Sequence, residues 1–276
     1  MPIHDEFACL TLLILISTFN HLRQEYSDDC SIAVLDSLEK MIGEFDTNPL
    51  LQNLEKGAVS LESFGRIMAI RLGAATQFIP FLAAVIKKAS LDPRLTEVLV
   101  ALQENLDEEL GADDPDASHE VWRQKFRSGM RRVFAEKGIA FGEPDRVIVQ
   151  DIEHTYGEVL LTLGSENVQV SVGAFTALEG ILANEFGVIW RYIKEHVPEL
   201  TIDESLYIAH HAGHEGKHFK DMLIPVLKVC TVHPEIVPHT IDGMTRVVRL
   251  RSAMLQEIDT RIKIETCAPH VSTCDL

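Results

Sequence analysis

Apolar residues recur every three to four positions through almost the whole chain, whereas the strict alternation of a half-buried strand is scarce. The pattern predicts helices over 5–24, 29–44, 59–88, 92–110, 118–136, 142–164, 169–196, 202–230 and 237–264. Breakers fall between them: DTNP (46–49), LDPR (91–94), GADDPDAS (111–118), FGEPD (141–145), HVPEL (196–200) and VHPEIVP (232–238). Connections are short, no Gly/Ser- or Pro-rich linker intervenes, and no repeat period stands out. One all-α domain over 1–276 is expected, a bundle of about seven to nine helices ending in a flexible tail over 267–276.

The apolar stripes are interrupted by ionisable groups. On the 202–230 helix, Tyr207, His211, Glu215, His218 and Met222 fall within roughly 80° of arc, with His214 about 60° from its centre. On the 169–196 helix, Glu179 sits amid Val172, Phe175, Leu182, Phe186, Trp190 and Ile193, while Glu185 falls at the edge of the stripe, where water can reach it. Glu109 continues the stripe of Leu95, Val98 and Leu102, and Glu104 and Glu108 rotate away to the surface. His119 opens the next helix behind Ser118, a natural N-cap, and lines up with Trp122, Phe126, Met130 and Val133. An unpaired carboxylate on such a face costs several kcal/mol or takes up a proton. Three carboxylates and three imidazoles on four helices, with no comparable set of cations on apolar faces, point to a metal centre within about 92–230.

Two ligand sets overlap in HHAGHEGKH (210–218). HEGKH matches the HExxH pattern of zinc hydrolases, with His214 and His218 as ligands and Glu215 as general base. That choice leaves Glu109, His119, Glu179 and His211 without a role. The alternative joins His211, Glu215 and His218, the mixed helical spacing by which bundles hold two iron or manganese ions. A third possibility is a helical binding protein with no catalysis.

Charge and cysteines narrow the setting. A net charge of −17 argues against nucleic acid or an anionic membrane surface as partner. Five scattered cysteines without a CxxC fit a reducing cytoplasm. The apolar run at 8–19 is too short to span a bilayer, and no membrane partner is expected.

The segments ENLDEELGADDPDASH, TALEG and HAGHEGKH resemble, in order and approximate separation, the three metal-binding segments of the haem-oxygenase-like di-iron oxidases and oxygenases. The resemblance covers 95–225 and implies a haem-oxygenase-like bundle in which Glu109, His119, Glu179, His211, Glu215 and His218 hold two Fe ions, with Mn as an alternative metal and no haem. Glu215 stands where family members often have Asp. A seventh ligand, found in some members, has only Gln77 as a counterpart here.

The implied activity is O2-dependent oxidation of a small carboxylate-bearing molecule, an amino acid or fatty acid, by desaturation, C–C cleavage, decarboxylation or N-oxygenation. Specialised metabolite biosynthesis is the implied context. An external electron donor and a homodimer are the other partners such an enzyme admits. Two metal ions bring four positive charges against three carboxylates, which favours an anionic group beside them. Arg66 and Arg71 are candidate carboxylate clamps, with surface charge as their plainer role. Phe78, Phe81, Phe175, Tyr207 and Met222 are candidate pocket walls, although at helical spacing they are first of all core. Gly213 and Gly216 suggest close packing, room for substrate, or simple tolerance.

Overall fold

Helix starts are set by side chains that accept from otherwise unsatisfied N–H groups. Asp28, Asn48, Ser60, Asn167 and Thr201 do this, and Thr201 with Glu204 closes a full capping box. Ser118 caps as predicted, accepting from Val121 N at 3.4 Å.

The computed structural model describes residues 17–112, 114–141 and 146–267. Helix α1 covers 17–25, followed by α2 (Asp29–Asp46), α3 (Pro49–Glu55), α4 (Leu61–Ala74), α5 (Phe78–Ala89) and α6 (Thr96–Glu109). Then come α7 (His119–Glu136), α8 (Arg146–Ser165), α9 (Val168–His196), α10 (Ile202–Val232) and α11 (Val237–Cys267). The beginning of the predicted 5–24 helix and the tail from 268 onward lie outside the described residues.

Among the described residues there is no strand, and the 10 helices from α2 to α11 slightly exceed the expected number. The excess has two local causes. Asn48 and Pro49, read as a break, instead cap and open the short α3, because Pro at a first helical position gives up no bond. The predicted 59–88 helix tightens to a 3-10 turn at Ala75–Gln77, just before Pro80, whose ring and missing N–H oppose a continuous α-helix.

Helix α9 is the centre of the molecule, packed against α10 and α11 along its length and against α2, α3, α5 and α8. Two stretches, Leu61–Ala89 and Val168–His196, are long and apolar enough to cross a membrane, but 94% of the most apolar window of the second is buried by its neighbours. Helices α9 and α11 approach backbone to backbone. A Cβ on Gly173 would lie 2.1 Å from Thr240 O, and one on Gly243 would lie 1.9 Å from Val170 O. Only glycine permits that approach.

Candidate metal centre

Four helices supply the six predicted ligands. α6 ends at Glu109 and α7 begins at His119, and the connection folds them face to face. Gly111 turns the chain at φ +89°, where a Cβ would meet Asp114 O at 2.4 Å and Ser118 N at 2.7 Å. Glu109 Oε1 consequently lies 2.8 Å from His119 Nδ1. From α9 comes Glu179, and from α10 come His211, Glu215 and His218 on successive turns, all buried.

These residues form two adjoining groups. Ligand atoms of Glu109, His119 and His211 lie within 4.8 Å of one another, and so do those of Glu179, Glu215 and His218. Glu215 joins the groups. Its Oε1 contacts His211 Nδ1, and its Oε2 faces His218 Nδ1 at 3.6 Å. His218 Nδ1 is also 3.9 Å from Glu179 Oε2.

Buried polar atoms are nearly always hydrogen-bonded, yet here Glu179 Oε2, His119 Nε2 and His211 Nε2 are buried without a partner. His119 Nδ1, despite its proximity to Glu109, makes no bond of acceptable geometry. Buried ligand atoms left without hydrogen bonds inside two carboxylate–histidine groups suit cations, so the donor set fits a metal pair.

The electrostatics tell the same story. Burial, and then the Glu215 carboxylate, raise the pKa of Glu179 well above the ordinary range. Glu215 is held below that range because His211 and His218 outweigh its burial. Burial also opposes charge on His218, but Glu108 and Glu215 prevail and push it up to about 11. Burial lowers His211, whereas Glu109 outweighs burial and raises His119. A cation pair removes this frustration by stabilising every carboxylate in its charged form.

Two participants escaped the sequence reading. Glu108 is not a bystander: its Oε1 is 2.9 Å from His210 Nε2 and its Oε2 is 2.9 Å from His218 Nε2. At the end of α6 both adjacent glutamates reach α10, and the signal was the doubled Glu108–Glu109 opposite the doubled His210–His211. Asn105, buried on the stripe of Val98 and Leu102, donates from Nδ2 to Glu179 Oε1 at 3.3 Å. As a polar residue on an apolar stripe it was visible in the pattern.

The remaining candidates divide. His214 is exposed, stacks on the His210 ring at 4.1 Å and, among the described residues, joins no ligand group. Arg66 pairs with Glu62 at 2.9 Å and is not among the cavity-lining residues. Gln77 lies against Gly157 of α8 and is not among the cavity-lining residues. Gly213 is exposed, and a Cβ there would meet nothing within 4 Å, so it serves neither packing nor substrate room.

Tyr207 and Phe78 line a cavity of about 140 Å³ beside the ligands, whereas Phe81, Phe175 and Met222 are core. Arg71 also lines it and is 2% exposed, not a surface charge. Glu185, expected in water, is fully buried between Arg71 and Arg251. The apolar faces therefore do carry cations. Arg251 interrupts the α11 stripe of Met244, Val247, Val248, Met254 and Leu255, which the pattern alone could have revealed.

No family model matches the chain, and no curated protein sequence matches it. Solved structures do. A CADD-like protein of unknown function from Nostoc punctiforme superposes with a TM-score of 0.63 at 19% identity, covering 88% of this chain and 98% of its own. A domain of unknown function with a heme oxygenase-like fold from Shewanella denitrificans gives 0.61 at 15%, covering 84% and 93%. A TenA homolog from Pseudomonas syringae pv. tomato gives 0.59 at 13%, covering 82% and 91%. Identities this low speak for architecture alone, and on that ground the chain has the haem-oxygenase-like fold.

Proposed function

We propose that the chain is a non-haem di-iron oxidase or oxygenase that uses O2 to oxidise a small carboxylate-bearing molecule, an amino acid or a fatty acid, in the cytoplasm. The observation that carries this reading is Glu215, whose two oxygens face the histidines of two adjoining ligand groups. Glu109, His119 and His211 would hold one metal, Glu179 and His218 the other, with Glu215 between them. A di-iron pair supplies the reductive activation of O2 that side chains alone cannot perform.

The chain's own part is positioning and exclusion of water. Glu108 fixes His218 through Nε2, leaving Nδ1 toward the metal side, the carboxylate–histidine arrangement common behind metal sites. Phe186 stacks on His211 at 4.2 Å and Tyr207 meets its edge at 4.7 Å, so the imidazole is walled from bulk water. The cavity is close to the volume of about 150 Å³ that admits one benzene, which suits a small substrate.

Anaerobic Fe(II) loading tests the proposal. Two irons per chain, O2 consumption on exposure, and loss of both in His211→Ala but not in His214→Ala are expected. A single zinc that survives His211→Ala and is lost in His214→Ala would instead support a hydrolase. Failure to take up any metal would leave a helical binding protein.

A further inference from the structure

Four of the six ligands, Glu109, His119, His211 and Glu215, line the cavity, and so do Arg71 and Arg251. Both arginines are buried, and one carboxylate serves them: Glu185 accepts from Arg71 Nε at 2.6 Å, from Arg251 Nε at 2.8 Å and from Arg251 Nη2 at 2.6 Å. Arg251 Nη1 donates to Tyr156 Oη at 3.2 Å. The neighbouring Arg123 and Glu120, which also line the cavity, neutralise each other. Glu185 is charged, since Arg251 and Arg71 outweigh its burial and hold it at about 2. Two cations against one anion leave one positive charge unanswered in a buried site, which is costly unless something neutralises it. Arg71 uses Nε on Glu185 and reaches the Tyr207 hydroxyl, which leaves a further amino group to offer.

The metal end has the opposite balance. Glu109, Glu179 and Glu215 offset three of the four charges of two divalent ions, and Glu108 supplies the fourth through His210 and His218. The attraction for an anionic group beside the metals, anticipated from three carboxylates, is therefore cancelled. Phe186 spaces the two ends. The Arg71 guanidinium lies 4.0 Å over its ring centroid, and His211 stacks on the ring at 4.2 Å with a 16° interplanar angle. Two groups stacked on one ring must take opposite faces, so a carboxylate on Arg71 is held off from His211 by the thickness of that ring.

We propose that Arg71 and Arg251, balanced only by Glu185, form an anion subsite that takes the carboxylate of a monoanionic substrate and directs its apolar chain, not its carboxylate, to the metal ligands. The apolar wall of Phe78, Ile79, Leu178 and Leu182 accommodates that chain. The direction toward metal rests on the di-iron reading, but the anion subsite does not.

Calorimetric titration of the metal-free full chain with hexanoate and its neutral counterpart hexanamide tests the subsite. Hexanoate should bind about tenfold or more tighter than hexanamide, and tighter still after Mn(II) loading, which cancels the carboxylates of the metal end. Arg71→Gln should erase the preference, and Glu185→Gln, which raises the local charge, should enlarge it. Should Arg71→Gln fail to fold by circular dichroism, the wild-type comparison and Glu185→Gln still decide. Equal binding of the two ligands, no measurable hexanoate binding, or hexanoate binding only after Mn(II) loading would overturn the proposal. An intact hexanoate preference in a chain that takes up no iron would sink the di-iron reading alone.

Discussion

Replacing Glu179 with Gln should move stability in opposite directions with and without metal. Glu179 is 1% exposed, accepts from Asn105 Nδ2 at 3.3 Å, and has a pKa raised above 4.5 by burial and by Glu215. A raised folded pKa contributes stability that is complete below the unfolded value and is lost as pH climbs toward the folded one. The loss is about 1.4 kcal/mol per pH unit, so at pH 7 it has a ceiling of about 3 kcal/mol. Gln is nearly isosteric, can still accept from Asn105, and carries no charge to desolvate. Metal-free Glu179→Gln should therefore match wild type at pH 4 and exceed it at pH 7 by up to that ceiling.

Metal reverses the order. A cation present at a hundredfold over its Kd stabilises the native state by about 2.7 kcal/mol per site. At about 2–4 °C per kcal/mol for a chain near this size, wild type should gain roughly 5–10 °C in Tm for each site filled. Glu179→Gln should lose the share belonging to the Glu179–Glu215–His218 group. Thermal denaturation monitored by circular dichroism at pH 4 and pH 7, with and without Mn(II), gives all the comparisons. A variant less stable than wild type at pH 7 without metal, or one that keeps the full Mn(II) shift, would refute the assignment of Glu179 as a ligand held in strained isolation.

Further predictions concern its surroundings. Glu108→Ala should weaken metal binding about 10–100-fold by freeing His218 and His210, with Glu108→Gln intermediate, as read by metal titration. Gly213→Ala should raise stability by about 1 kcal/mol and leave metal affinity unchanged, because its surroundings are open and the helix alone gains. Asp46, half-buried against Asn184, has its pKa raised by burial to about 6. Its contribution is present below about 3.8 and is lost as pH rises through 6, so Asp46→Asn should be more stable than wild type at pH 8 by roughly 1–2 kcal/mol, after allowance for solvent screening, and not at pH 3.5. Denaturant titrations at the two pH values measure the difference.

Much of this was legible in the chain itself. Period-3.6 stripes located the helices, because each must bury one face, and the Ser118 cap follows from the chemistry of a single hydroxyl. The ligand candidates were legible for the same reason: Glu179 and His211 stand on faces that otherwise reject charge. The failures also share a cause. A helical wheel gives direction around one axis, but it says nothing of what crosses the end of that helix. Glu108 was assigned to solvent because nothing in the stripe shows that α10 passes there, carrying His210 and His218. Glu185 at a stripe edge became fully buried because α4 and α11 bring Arg71 and Arg251 to it from 114 and 66 residues away.

The sequence by itself determined an all-helical chain, its approximate element ends, and a set of acidic and imidazole side chains that had to be reconciled inside an apolar core. Tertiary structure alone decided which of them meet: Glu215 between two groups, His214 turned outward, and one buried glutamate shared by two arginines. Periodicity is a local property of one helix, whereas a ligand set is a relation among four. That relation depends on crossings such as the Gly173–Gly243 contact, whose closeness no single segment encodes.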